Sequence, residues 1–153
     1  MVKSRLRAYT LIEIIIVIAV FTALGFLALP VAIREIQVGK VDSYVKDVRS
    51  AIELAALDSF SGKDELSHGV KINPDSIVIY AGPNYSEAID ELILEVPMNV
   101  SITNISLNDS SDEFIFPLGD IRPSAHGTFQ VSDDYSTFEF EINREGLLVI
   151  SKI

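Results

Sequence analysis

The chain has 153 residues, 12 Lys and Arg against 22 Asp and Glu, a formal net charge of -10 and no cysteine. No disulfide can staple it, and the acid, concentrated in its C-terminal part, argues against electrostatic binding of a phosphate backbone, so no nucleic-acid partner is expected. About ninety residues follow Gly62, enough to bury a modest core against a helix.

The N-terminus opens with a basic leader, Lys3, Arg5 and Arg7, that contains no acid. From Ile14 to Ile33 no residue is charged, and roughly twenty apolar residues suffice to cross a bilayer as a helix. The charge bias predicts a single-pass protein of the cytoplasmic (inner) membrane, leader inside and head extracytoplasmic. Glu13 does not suit a plain anchor, because a carboxylate at bilayer depth costs roughly 2.5 to 3.5 kcal/mol or more and calls for a partner. A cut between Ala8 and Tyr9 would supply one, since the new α-amino group, with a pKa of about 8, is cationic at neutral pH. Glu13 would then be the fifth residue, in the first helical turn, where the helix dipole favours negative charge.

The run Ala8-Tyr9-Thr10-Leu11-Ile12-Glu13, with basic residues before it and apolar residues after it, resembles the class III signal of type IV pilins and type II secretion pseudopilins. The resemblance implies that a prepilin peptidase cuts after Ala8 and methylates the amine of Tyr9. It also implies that Glu13 pairs with the N-terminal amine of a neighbouring subunit, and that Pro30, twenty-second after the cut, is the helix-bending proline. Ala8 stands where the family usually has Gly, and Tyr9 where Phe is commoner. The partners implied are prepilin peptidase, other pilin or pseudopilin subunits and an inner-membrane assembly platform, with the product an extracellular or periplasmic filament. A secretory signal peptide with a cleavage site near Ala23-Leu24-Gly25, or a plain single-span anchor, explains the apolar run but leaves Glu13 without a purpose.

Beyond the apolar run, Val41, Tyr44, Val45, Val48, Ile52 and Ala55 recur at three- and four-residue spacing, which predicts an apolar stripe on a helix otherwise bearing charges. Ser59 to Gly62 supplies breaker residues and a glycine able to take a left-handed cap. The head reads as strands at Ser76–Tyr80, Glu91–Val96, Val100–Ile105, Glu113–Phe116, Gly127–Val131, Thr137–Ile142 and Gly146–Ile150, with a hairpin turn at Asn143–Gly146. The expected divisions are a leader at 1–8, a transmembrane and filament-core helix at 9–33, its amphipathic continuation at 34–61 and a β-rich head at 62–153. The expected fold class is α+β, a long N-terminal helix, transmembrane then amphipathic, packed on an antiparallel β-sheet head. Phe116-Pro117-Leu118-Gly119, Gly127-Thr128-Phe129 and Gly146-Leu147-Leu148-Val149 are similar to the last strands of H-type minor pseudopilins, which implies a minor component.

No catalytic set is found, so no enzyme activity and no cofactor are expected. His68 and His126 read as surface residues, each beside a glycine. Asp109, Asp112 and Glu113, and Asp133 with Asp134, carry the oxygen ligands that calcium favours but read as solvated loops, so no metal is assigned. Asn84, Asn99, Asn104 and Asn108 each begin an N-x-Ser sequon, read as coincidental. The expected function is a structural subunit of a type IV pilus-like or type II secretion pseudopilus filament. The alternative is a membrane-anchored or tip-located extracytoplasmic binding domain.

Overall fold

The computed structural model describes residues 10–153, with the side chains of 26–38 outside the described set. The chain forms two compact units, Met1–Gln37 and Val38–Ile153. Among the described residues the one α-helix, α1, is Leu11–Ser61.

Among the described residues no helix is long and apolar enough to cross a membrane. The first described apolar run of α1 is residues 11–25, and from Lys40 onward the helix carries Asp42, Lys46, Asp47, Arg49 and Glu53. This corrects the expected helix that is transmembrane and then amphipathic, and with it the expected single-pass position in the cytoplasmic membrane.

The second unit holds eight strands: β1 His68–Ile72, β2 Ser76–Ala81, β3 Asp90–Glu95, β4 Ser101–Leu107, β5 Glu113–Phe116, β6 Gly127–Ser132, β7 Thr137–Ile142 and β8 Leu148–Lys152. They form two four-stranded sheets rather than the single sheet expected, ordered β3-β2-β1-β5 and β4-β6-β7-β8. Every neighbouring pair is antiparallel. Membership is interleaved along the chain, since β5 joins the first sheet after β4 has been committed to the second.

One core serves both sheets. The stripe Val41, Tyr44, Val45, Val48, Ile52 and Ala55 is buried in a single cluster with Val70, Ile77 and Phe114 of the first sheet and Ile102, Phe129 and Phe140 of the second. Period-3.6 burial on the helix meets period-2 burial on strands such as β5, where Phe114 and Phe116 are buried and Glu113 and Ile115 are not. Phe129 and Phe140 are directly opposed across β6 and β7 and stack with centroids 4.6 Å apart, an arrangement worth about 0.5 to 1.5 kcal/mol beyond the area it buries.

Polar groups close the helix where the sequence placed its end. Gly62 follows α1 with φ 71°, and its N–H donates to Ser59 O at 3.1 Å. Ser59 is fully buried. Its hydroxyl donates to Phe116 O at 2.9 Å and accepts from His68 N–H at 2.7 Å, while its own carbonyl also accepts from Gly119 N–H at 2.8 Å. The helix end is thereby tied to β1, β5 and the loop after β5.

The strand that the sequence reading missed is β1. It contains Gly69, opposite Tyr80 on β2, and a Cβ there would lie 2.2 Å from Tyr80 Cζ. The glycine makes room for that ring, which Tyr85 covers edge-to-face at 5.7 Å.

Candidate functional site

Of the residues singled out in the N-terminal signal, Ala8 and Tyr9 lie outside the described residues, as does the side chain of Pro30. Glu13 is described, exposed, in the first turn of α1. Its backbone N–H donates to Thr10 O at 3.1 Å and to Thr10 Oγ1 at 3.4 Å. Thr10-Leu11-Ile12-Glu13 therefore has the spacing of a capping box, in which a threonine hydroxyl satisfies an N–H of the first turn. Sequence reasoning placed Glu13 in the first turn, favoured by the helix dipole, and gave it an assembly role, but did not read the T-x-x-E spacing with Thr10.

From Leu11 to Gly25 every residue of α1 is exposed. Leu11 is 81% and Phe21 71% accessible, and Ile12, Ile14, Ile15, Ile16, Val17, Ile18, Val20 and Leu24 are all large exposed apolar residues. They cover the helix on all sides. The hydroxyl of Thr22 donates to Ile18 O at 2.7 Å, which folds this polar group back on the helix backbone. Glu13 is the sole ionisable side chain of the stretch. A helix apolar all round belongs in the interior of a larger body.

The histidines fall in different settings. His68 is buried, correcting the surface reading, and its Nδ1 lies 3.3 Å from Ser59 Oγ. That pair is a joint in the fold, because the Ser59 hydroxyl already donates to Phe116 O and accepts from His68 N–H. His126 is half-buried; its N–H donates to Asn108 Oδ1 at 2.7 Å, and its Nε2 accepts from Arg144 Nε at 3.2 Å.

The acidic loops build turns. Asp109 Oδ1 accepts from the backbone N–H and the hydroxyl of Ser111, which hold its carboxyl below the usual range. Asp133 Oδ1 accepts from Tyr135 N–H and Ser136 N–H, and Asp112 pairs with Lys71. Among the described residues no group of three His, Asp or Glu side chains could hold a metal ion. Two sequon asparagines also serve the backbone: Asn84 accepts from Glu87 N–H and Asn108 from His126 N–H.

A second surface went unnoticed in the sequence. Along one edge of the first sheet, a groove of about 500 Å³ opens between α1 and β3, lined by Leu54, Ala55, Leu66, Ile79, Ile89 and Leu92 among others. Asp58, Asp64, Asp90 and Glu91 stand around it with Lys63, which pairs with Asp58 at 2.7 Å. Its only sequence signal was the unbroken run Asp90-Glu91-Leu92-Ile93-Leu94-Glu95. Comparison of the chain with protein-family models, curated proteins and solved structures gave no match.

Proposed function

We propose that this chain is a structural subunit, of the minor kind, of a type IV pilus-like or type II secretion pseudopilus filament. A prepilin peptidase releases residues 1–8 by cutting between Ala8 and Tyr9, and the subunit assembles through the N-terminal part of α1.

The observation that carries this reading is the exposed stretch 11–25 with a lone carboxylate at its first turn. Full burial of a Leu, Ile or Phe side chain is worth about 1.5 to 3 kcal/mol, so packing such helices side by side supplies a large driving force for association. The carboxylate of Glu13 opposes that burial unless it meets a cation. The methylated amine of Tyr9 on an adjacent subunit is a cation of suitable reach. Because an unpaired buried charge is strongly penalised, the pair also selects axial register.

The experiment is the intact mass and N-terminal sequence of the mature chain from its native host, with the same measurement on Glu13→Ala. A start at methylated Tyr9, with Glu13→Ala processed but left out of filaments, supports the reading. An intact Met1 overturns the processing step, and normal incorporation of Glu13→Ala removes that residue from assembly.

A further inference from the structure

The two sheets expose four edge strands, and three of them carry a device that discourages further pairing. β5 is four residues long, and Ser124 occupies the open side of Ile115: its hydroxyl accepts from Ile115 N–H and its N–H donates to Ile115 O. β4 is broken by a register shift between Thr103 and Ser106, a bulge that re-aims an edge. β8 carries Lys152, a common edge guard.

β3 has none of these, and its one local cap is the Asp90 side chain, whose Oδ1 accepts from Glu91 N–H at 3.0 Å. It runs six residues without Pro, Lys or register shift against β2, and Ile93 is 54% exposed. Val96 N–H donates to Asp75 O, so by the alternation of an antiparallel ladder Leu94, Leu92 and Asp90 turn their backbone groups to β2. Glu91, Ile93 and Glu95 turn theirs outward. The acids Asp90, Glu91 and Glu95, with no base among them, set like charges against each other if two copies of β3 pair. The same charges favour a strand that brings cations.

We propose that β3 is a docking edge for an extended apolar segment of another protein, bearing Lys or Arg at positions four apart, which adds as a fifth strand to the first sheet. The basic residues face Glu91 and Glu95, with an apolar residue between them against Ile93. The intervening side chains turn to the other face, into the groove beside Leu54 and Leu92. Main-chain bonds give the affinity and the alternating faces give the selection. This stands on β3 alone and is independent of the filament reading.

The test uses the full chain and the peptide acetyl-Ser-Lys-Val-Ile-Val-Lys-Ser-amide, whose palindromic order suits either strand direction, with a Glu-for-Lys counterpart as control. Calorimetry should show one site that weakens with salt and no binding of the acidic peptide. Hydrogen exchange should show new protection at the amides of Ile93 and Glu95, since Glu91 N–H is already held by Asp90 Oδ1. Ile93→Pro removes an outward N–H without breaking the ladder to β2, and should weaken binding roughly tenfold or more. Glu91→Gln with Glu95→Gln should weaken it about three- to tenfold, and Glu139→Gln with Glu141→Gln, on the other sheet, should leave it unchanged. Equal loss in both acid pairs, or unchanged binding by Ile93→Pro, would overturn the proposal. Self-association of the free chain that Ile93→Pro abolishes would also overturn it, by assigning the edge to a second copy.

Discussion

Replacing Ser59 with Ala tests how the helix end is joined to the first sheet. The substitution removes one oxygen from a fully buried site and leaves the backbone bond from Gly119 N–H to Ser59 O in place. Two hydrogen bonds go, to Phe116 O at 2.9 Å and from His68 N–H at 2.7 Å. Each is worth about 1 kcal/mol net, and the buried His68 N–H left without this acceptor adds a desolvation cost of about 1 kcal/mol or more. The sum is about 3 kcal/mol. At about 4 °C per kcal/mol for a unit of this size, Tm should fall by about 12 °C. Thermal unfolding followed by near-ultraviolet circular dichroism reads the shift. Ser61→Ala is the control, since that exposed hydroxyl bonds only Asp58 O at 3.1 Å; it should change stability by under about 0.5 kcal/mol. If Ser59→Ala melted within about 3 °C of the parent, the joint would hold without its hydroxyl and the reasoning would fail.

Two further outcomes follow from packing and burial. Gly69→Ala sets a Cβ against the Tyr80 ring, at 2.2 Å from Cζ and 2.3 Å from Oη, and should cost about 1 to 3 kcal/mol by overpacking; in urea titrations Gly69→Ala with Tyr80→Val should cost less than the sum of the single changes. Burial pushes the Tyr44 hydroxyl up from 10.0 to about 12, while it donates to Leu94 O at 3.2 Å. The unfolded chain therefore loses this proton first, so Tyr44 contributes stability that is whole below about pH 10 and is lost progressively as pH rises toward 12. Urea midpoints between those pH values should fall more steeply for the parent than for Tyr44→Phe; equal slopes would show that Tyr44 is not the group responsible.

Much of the second unit could be read from its residues. Thr137–Ile142 was bounded correctly because Phe140 and Ile142 must turn inward where Glu141 turns out, and the Asn143–Gly146 turn closes through Gly146 N–H to Asn143 O. The unread parts depend on contacts distant in sequence. Gly69 looked like a loop residue because the ring that requires it comes from β2. The division into two sheets depends on which strands pair, and β1 finds β5 rather than the nearer β4, which no local pattern encodes. Ser59 was read as a helix breaker; only the meeting of α1, β1 and β5 makes it a buried joint. At the candidate assembly surface, Glu13 stood out as an acid beside an apolar run, while its place beside Thr10 in a capping box was overlooked. The β3 edge was read simply as a strand, since position in a sheet is invisible in composition.

The alternation of strand membership bears on how this unit can come apart. With β1 to β3 in one sheet, β4 in the other, β5 back in the first and β6 to β8 in the second, no single scission yields two complete layers. A chain emerging from synthesis must hold β4 without its neighbour β6 until β5 has already crossed to β1. Closing such non-local pairs carries a loop entropy that only the finished core repays. The unit should therefore melt in one transition and refold slowly, and a fragment ending before β5 would leave β1 with a bare edge.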